Sequence, residues 1–197
     1  MARKSKIIRK TTETDIVLEM ELGGKKTSKI DTSIPFIDHM LNLTAKHGCF
    51  FLSVKSKGDR EIDDHHLAED LGICFGKALS EALGDKKGIR RYGSASVPMD
   101  ESLCSVAIDI SGRPFLVFNA KLGNKRKIGE FDVSLVKEFF KAIVDNSRIA
   151  LHINLIYGDN LHHMVEAIFK AFAVALKDAT SIDTINNSIP STKGSID

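Results

Sequence analysis

Two stretches of the chain repeat one another: HHLAEDLGICFGKALSEAL at 65–83 and HHMVEAIFKAFAVALKDA at 162–179. They align without a gap, and each carries apolar residues at helical spacing and no proline, which predicts an amphipathic helix. The matching positions are His65, His66, Glu69, Phe75, Ala78 and Leu79, against His162, His163, Glu166, Phe172, Ala175 and Leu176. Similarity at a fixed spacing indicates a duplicated unit, so we expect the same substructure twice.

The segments before these helices extend the repeat. β-rich runs are predicted at 50–56 and 149–156, and each is followed by a Gly-Asp pair. Helical patterns at 35–48 and 134–147 precede the two runs. Each half therefore contains a helix, a strand and a second helix in the same order.

Each half is also expected to open with a β-hairpin. In the first half, apolar residues alternate over 16–22 up to a Gly23-Gly24 turn, as a strand requires. In the second half, 106–110 alternates up to the turn sequence SGRP, and 114–122 is predicted to run back. The predicted order is β-β-α-β-α, twice, which is an α+β fold with helices packed on one face of each sheet.

The two halves are expected to form one domain that spans 1–197. The pseudo-repeats run from about 9–83 and 96–179, joined by 84–98. Each half has only about 90 residues, which is small for an independent core, so we expect a shared one. The polar tail after Lys177 is predicted to be loop.

Composition excludes several classes of protein. The net charge of +2 gives little support for nucleic acid as a partner. The chain contains no run of about 18 apolar residues, so no membrane span is predicted. The basic N-terminus is not followed by the apolar run of a signal peptide. Cys49, Cys74 and Cys104 are far apart among apolar neighbours, which predicts buried free thiols in a reducing cytoplasm.

The doubled histidines point to metal binding. Neighbouring residues on a helix diverge by about 100°, so His65 and His66 are suited to two different ions rather than one. Glu69 lies four residues after His65 and three after His66, so it can share a helical face with either. The same spacing recurs in the second half, and chance repetition of three ligand-type residues is improbable.

The preceding helices add one candidate each. Aligning IDHML (37–41) with VKEFF (136–140) places His39 opposite Glu138, and both are ligand types. His152 falls within a predicted strand opposite Leu52, so we interpret it as structural. Imidazole and carboxylate donors without thiolate favour Mn²⁺ or Fe²⁺. The eight candidate ligands for two ions are His39, His65, His66, Glu69, Glu138, His162, His163 and Glu166.

Six motifs resemble one known family. The motifs are FIDHML followed by HG, DDHHLAEDLGICFGKAL, RYGSASVPMDESL, DISGRP, LHINLIYGDNLHHMVEAIFKAFA and PSTKG. Their order is the one found in imidazoleglycerol-phosphate dehydratases, enzymes of histidine biosynthesis. The resemblance runs from about Arg9 to Gly194, nearly the whole chain. It implies two similar halves of the ribosomal protein S5 domain 2-like class, two Mn²⁺ per active site and a homo-oligomer of 24 subunits with active sites at subunit contacts.

The resemblance also assigns residues. The eight candidate ligands match the family's metal positions, although the position of Glu138 is histidine in some members. Glu13, His47 and Asp100 are the candidates for proton transfer, with Glu13 first. The family's phosphate contacts correspond to Arg91, Arg113, Ser191 and Lys193, and the last two lie in a loop at 188–195 that is expected to bind the phosphate of the substrate. The implied substrate contacts are Glu13, His39, His47, His65, Glu69, Arg91, Arg113, His162, Glu166, Lys170, Ser191 and Lys193.

The implied reaction removes water from D-erythro-imidazole-glycerol phosphate to give imidazole-acetol phosphate. No carbonyl makes the reacting carbon acidic, so the imidazole ring has to act as the electron sink. Two Lewis acids that bind its two nitrogens would hold the ring as imidazolate, which accounts for a ligand set that occurs twice. A carboxylate near the glycerol carbons would transfer the proton.

Three alternatives remain open from the residues alone. A dinuclear metallohydrolase would use the same ligand types to generate hydroxide. An RNA-binding module fits the basic N-terminus, but two tyrosines and no tryptophan provide little base stacking. In a purely structural metal protein, chelation would affect assembly and not turnover.

Overall fold

The computed structural model describes residues 3–24, 26–123, 127–185 and 187–196. The chain forms two α+β halves, each with two long helices. The elements of the first half are β1 (Lys4–Lys10), β2 (Thr14–Leu22), β3 (Lys29–Asp31), α1 (Pro35–Gly48), β4 (Phe50–Gly58) and α2 (His65–Leu83). Those of the second are β5 (Tyr92–Met99), β6 (Ser102–Asp109), β7 (Phe115–Asn119), β8 (Lys127–Ile128), β9 (Phe131–Asp132), α3 (Leu135–Ser147), β10 (Ala150–Tyr157) and α4 (Leu161–Thr180).

The two halves have equivalent four-stranded sheets. Their strand orders are β1-β2-β4-β3 and β5-β6-β10-β7, while β8 and β9 form a separate two-stranded ribbon. In each sheet the third strand in sequence, β3 or β7, pairs in parallel with the strand between the two helices. The predicted duplicated α+β fold is confirmed, but each four-stranded sheet contains three strands that precede the first helix, where two were predicted.

The hairpins lie elsewhere than predicted. β2 pairs with β1 through a turn at 11–13 and, on its other edge, with β4, so no hairpin forms across Gly23-Gly24. In the second half β6 pairs with β5, and β7 pairs with β10 rather than folding back on β6. Both predictions of a return strand were wrong because alternation identifies a strand but not its partner. β5 also occupies part of the predicted join.

The four helices match their predicted positions within two residues. The first helix of each half ends at an equivalent left-handed cap, Cys49 with φ 53° and Arg148 with φ 58°. At α4, the side chain of Asn160 accepts hydrogen bonds from the backbone N–H groups of His162 and His163. This cap satisfies otherwise unpaired donors and fixes the start of the helix that carries both histidines.

The helices pack crosswise between the halves. α2 lies on β1 and β2, and α4 lies on β5 and β6, but α1 of the first half contacts α4 and α3 of the second half contacts α2. Glycine permits the closest approaches. A Cβ on Gly72 would lie 2.5 Å from the carbonyl oxygen of Phe139, and one on Gly93 would lie 2.0 Å from that of Ala175.

Phenylalanines of α2, α3 and α4 form the centre of a continuous core. The ring centroid of Phe140 lies 4.9 Å from that of Phe169 and 5.1 Å from that of Phe172. Phe75 and Phe172 occupy equivalent positions in the repeat, and their centroids are 6.2 Å apart. Because equivalent residues touch there, the pseudo-twofold axis that relates the halves passes close to this pair.

The cysteines divide into two kinds. Cys74 and Cys104 are buried free thiols, as predicted, but Cys49 is exposed at the end of α1, so its predicted burial was wrong. Its left-handed cap position directs the side chain away from the core. The described part of the tail after α4 contains a β-bridge between Ile182 and Ile89 and no helix. Among the described helices, none is both long and apolar enough to cross a membrane.

Candidate metal and substrate site

Residues of both halves converge at the start of α4. The Nε2 atom of His39 lies 2.7 Å from Oε1 of Glu166, and Nε2 of His162 lies 3.2 Å from the same oxygen. These three residues each place a ligand-type atom within 4.8 Å of the others. His39 is exposed, His162 is half-buried and Glu166 is 6% exposed, so the group opens to solvent on one side.

Glu166 remains ionised in this group. Burial is the largest influence and would raise its pKa, but hydrogen bonds from Lys170, His39 and His162 outweigh burial and lower the pKa to about 2. The Nζ atom of Lys170 donates to Oε2 of Glu166 at 2.6 Å. Phe36 packs edge-on against the ring of His162, with centroids 5.4 Å apart. The carboxylate therefore has one oxygen facing two imidazoles and one facing an ammonium group.

His47 lies in the last turn of α1 and is exposed. Desolvation, followed by the positive charges of Lys170 and Lys46, lowers the pKa of His47. A neutral imidazole is thus favoured near neutral pH, and such a group can accept as well as donate a proton.

The second histidine of α4 faces a different carboxylate. Nδ1 of His163 lies 2.8 Å from Oε2 of Glu101 and 3.9 Å from Oδ2 of Asp100, both in the β5–β6 turn. Oε1 of Glu101 accepts hydrogen bonds from the backbone N–H of Asn160 and the hydroxyl of Ser102. The hydrogen bonds that Glu101 accepts from His163 and from the backbone of Asn160 lower the pKa of Glu101 to about 2. The same hydrogen bond between His163 and Glu101 raises the pKa of His163.

The start of α2 carries the corresponding group of the first half. Nε2 of His65 lies 3.6 Å from Oε2 of Glu69 on the same helical face. Nδ1 of His66 lies 3.0 Å from Oδ2 of Asp59, and its Nε2 lies 4.0 Å from Oε1 of Glu13. The hydrogen bond with Asp59 is the main reason that the pKa of His66 is raised.

A buried polar network attaches Glu13 to α2. Asp70, which is 7% exposed, accepts a hydrogen bond from Thr14 at 2.5 Å and forms an ion pair with Arg9 at 2.9 Å. The hydroxyl of Thr11 accepts from the backbone N–H groups of Glu13 and Thr14. The turn that carries Glu13 is therefore tied to the residue that directly follows Glu69 in α2.

The candidate ligand Glu138 and the histidine interpreted as structural, His152, lie apart from these groups. Glu138 is exposed on α3, beside Phe118, Leu122 and Lys137, and it joins no cluster of three ligand-type residues within the described part of the chain. Its assignment as a metal ligand stays a prediction. His152 is exposed on β10, with its ring centroid 6.4 Å from that of Phe115.

The residues predicted to bind phosphate line one cavity of about 930 Å³. Arg91 is already engaged, since it forms a two-pronged ion pair with Asp109 and donates to the carbonyl oxygen of Pro190 at 2.9 Å. Arg113 is exposed. Among the described residues that line the cavity, none is a candidate metal ligand. The lining includes Arg91, Arg113, Ser188, Ser191, Thr192 and Lys193.

Comparisons with known proteins establish the family of the chain. The family model described as imidazoleglycerol-phosphate dehydratase matches residues 32–176. The chain belongs to the imidazoleglycerol-phosphate dehydratase family. The enzyme of Geobacter metallireducens is 59% identical over the full length of both chains, and that of Syntrophus aciditrophicus is 55% identical over 98% of each.

Solved structures of the family share the fold. The imidazoleglycerol-phosphate dehydratase of Staphylococcus aureus has a TM-score of 0.83 at 44% identity and covers 91% of this chain and 99% of its own. The Pyrococcus furiosus structure, in complex with (S)-C348, has a TM-score of 0.82 at 36% identity and covers 96% and 99%. The predicted family and enzyme class, a hydro-lyase, are confirmed.

The donor set of the candidate site fits a divalent cation. Two imidazole nitrogens and one ionised carboxylate oxygen converge at the start of α4, and no thiolate is near. Such donors suit Mn²⁺, Fe²⁺ or Zn²⁺. The remaining candidate ligands of α2 are exposed or half-buried, so they are available to the same kind of ion.

Two carboxylates beside the histidines were missed in the sequence. From the sequence, Asp59 is only a repeat position, and the candidate at the second turn is Asp100 and not its neighbour Glu101. Register supplies the missing signal for Glu101. Glu13 directly precedes Thr14, the buried first residue of β2, and Glu101 directly precedes Ser102, the buried first residue of β6. The two glutamates are therefore equivalent in the repeat.

Proposed function

We propose that the chain dehydrates D-erythro-imidazole-glycerol phosphate to imidazole-acetol phosphate in L-histidine biosynthesis, in the cytoplasm. The observation that carries the proposal is the convergence of His39, His162 and Glu166 in a chain of this family. Two Mn²⁺ ions per active site are the proposed cofactor, with Fe²⁺ as the alternative in the cell. When bound, they would supply Lewis-acid stabilisation of the imidazolate form of the substrate ring.

The ligands fall into two sets related by the pseudo-twofold axis. His39, His162 and Glu166 form one part of the set, and His65 and Glu69 form its repeat equivalent. His66 and His163 point from the next position of each helix, as required of residues that serve a second ion. Glu138 is proposed as the ligand equivalent to His39.

Glu13 is the proposed proton-transfer group. It is half exposed and lies beside His66, so a substrate bound next to the candidate ligands of α2 would lie close to its carboxylate. Its backbone is held by Thr11 and by the N–H of Asp59, which donates to the Glu13 carbonyl oxygen. This restraint limits the positions of the carboxylate, as a base requires. His47 and Asp100 are the secondary candidates.

The substrate phosphate is proposed to bind in the cavity at 188–195. Arg113 and Lys193 supply positive charge, and the hydroxyl and backbone groups near Ser191 can donate hydrogen bonds. Arg91 is held by Asp109 and in turn holds the carbonyl of Pro190, so it contributes charge and also fixes the loop. Lys170 remains a proposed substrate contact.

A homo-oligomer would complete the active site. Within one chain, the described ligand groups at the starts of α2 and α4 and the phosphate cavity share no lining residues. We propose that contacts between subunits, in an assembly of 24, bring groups of different chains to one substrate. Metal binding would then stabilise the assembly by mass action.

The test is turnover of imidazole-glycerol phosphate by the purified chain, after chelation and again after addition of Mn²⁺. Water loss that depends on Mn²⁺ is the expected result. No product with Mn²⁺ present, together with hydrolysis of a generic phosphate ester, would replace the proposal with a metallohydrolase. Retained turnover in metal-free protein would refute the role of the metal.

A further inference from the structure

The two turn glutamates are equivalent in the repeat but have different partners. Oε2 of Glu101 lies 2.8 Å from Nδ1 of His163, whereas Oε1 of Glu13 lies 4.0 Å from Nε2 of His66. In the first half Nδ1 is already taken by Asp59, at 3.0 Å. The two halves therefore place a carboxylate on the same ring nitrogen from different elements.

We propose that Glu101 and Asp59 are positioning residues, which fix the rings of His163 and His66 with Nε2 directed at the metal. The inference rests on the proposed function, because it assumes that both histidines are ligands. An ionised carboxylate only accepts hydrogen bonds, so the ring proton resides on Nδ1 and the lone pair of Nε2 is free. Carboxylates that hold a ligand histidine in this way raise its basicity and restrict its rotation.

Glu101 is well anchored for such a role. Both of its oxygens are engaged: Oε2 with His163, and Oε1 with the N–H of Asn160 and the hydroxyl of Ser102. The same carboxylate thus contacts the ligand and the cap residue of the helix that carries it. A shift of the β5–β6 turn would move the ring and the helix start together.

The arrangement explains why the repeat is chemically unequal. Asp159 is the repeat equivalent of Asp59, but it is exposed, and His163 is held by Glu101 instead. Conversely, Asp59 occupies Nδ1 of His66, so Glu13 does not bind that nitrogen. Glu13 is therefore available for proton transfer, whereas Glu101 is committed to positioning and is not a base.

The test measures Mn²⁺ binding by equilibrium dialysis of the full-length chain without substrate. Glu101→Ala is expected to raise the Kd of the affected site by about 10- to 100-fold, the usual cost of losing the outer partner of a ligand histidine. Asp59→Ala should have the same effect on the other site. Asp159→Asn is the matched control and should leave both Kd values unchanged.

Conservative variants separate positioning from folding. Glu101→Gln keeps an acceptor oxygen but loses the charge, so its Kd should rise by a smaller factor, about 3- to 10-fold. A Kd within twofold of the wild-type value for Glu101→Ala, or a fall in Tm of the metal-free protein without a change in Kd, would overturn the proposal. If Glu101→Ala does not fold, an unchanged Kd in Glu101→Gln would do so.

These outcomes are distinct from failure of the proposed function. Turnover by the wild-type chain that depends on Mn²⁺, combined with wild-type Kd values in both alanine variants, would refute positioning and leave the function intact. A wild-type chain that binds no Mn²⁺ would refute the proposed cofactor, and positioning with it.

Discussion

His39 and Glu166 are separated by 127 residues and belong to different halves, yet Nε2 of one lies 2.7 Å from Oε1 of the other. The contact exists because α1 packs on α4 and not on the second helix of its own half. The repeated unit is therefore not the functional unit, since a histidine of the first half completes a candidate ligand group of the second.

Glu166→Gln is expected to remove metal from the group at the start of α4. The neutral amide is a poorer ligand, and Lys170 loses the ion pair that it forms at 2.6 Å. The loss of metal affinity should exceed the factor of about 10 to 100 that is expected when a ligand histidine loses the carboxylate that holds it. Metal content and sedimentation would measure the effect. Glu81→Gln, an equal change of charge at an exposed site on α2, serves as the control. Full metal occupancy and activity in Glu166→Gln would contradict the ligand assignment.

Asp70→Ala is expected to destabilise the fold and displace Glu13. The change leaves the partly buried guanidinium of Arg9 without its partner and removes the acceptor of the Thr14 hydroxyl. Breaking such a pair costs on the order of 3 kcal/mol in the free energy of unfolding. Urea denaturation would measure it, and kcat should fall further than KM rises. Asp15→Asn, on the exposed face of β2, should change stability by less than about 0.5 kcal/mol. Equal stability of the two variants would refute the role of the network.

Gly93→Ala is expected to disturb the packing of β5 on α4. A Cβ at this position would lie 2.0 Å from the carbonyl oxygen of Ala175 and 2.6 Å from the backbone nitrogen of Ala179. The backbone must move, at a cost of about 3 kcal/mol or more in unfolding free energy. Thermal unfolding of Ser94→Ala, which alters the opposite face of the strand, provides the comparison. An unchanged Tm in Gly93→Ala would show that the strand and helix are less tightly packed than described.

Arg113→Ala is expected to weaken substrate binding more than it slows turnover. Arg113 is an exposed cation of the proposed phosphate cavity, and a hydrogen bond to a charged group contributes about 1.5 to 3 kcal/mol. KM should therefore rise by about 10- to 100-fold. Arg90→Ala removes an arginine that is paired with Asp178 and should leave KM unchanged. Steady-state kinetics measures KM for both variants. If KM of Arg113→Ala equals KM of Arg90→Ala, the phosphate binds elsewhere.

Thiol alkylation should distinguish the three cysteines. Burial raises the pKa of Cys74 to about 11 and that of Cys104 to about 12, so at pH 8 these two carry even less of the reactive thiolate than an ordinary thiol. Cys49 is exposed. Iodoacetamide should add one group per folded chain at pH 8 and three in urea, as measured by intact mass. Modification of more than one cysteine in the folded protein would show that the core opens.

The sequence by itself determined the repeat, the four helices and the residue types of the site. Periodicity and prolines are local properties, and the recurrence of two histidines and a glutamate needs no coordinates to be recognised. The same reasoning did not identify the partners of the strands. Alternation shows that 16–22 and 114–122 are extended, but either neighbour could satisfy their backbone hydrogen bonds.

Only the tertiary structure decided which ligands meet. Four amphipathic helices with similar apolar faces can pair in several ways, and the choice of α1 with α4 depends on the combined fit of both sheets and all four helices. That choice places His39 with His162 and Glu166. The partners of His66 and His163 were decided by the pairing of the strands, because Asp59 and Glu101 lie in turns whose positions follow from that pairing and not from local sequence.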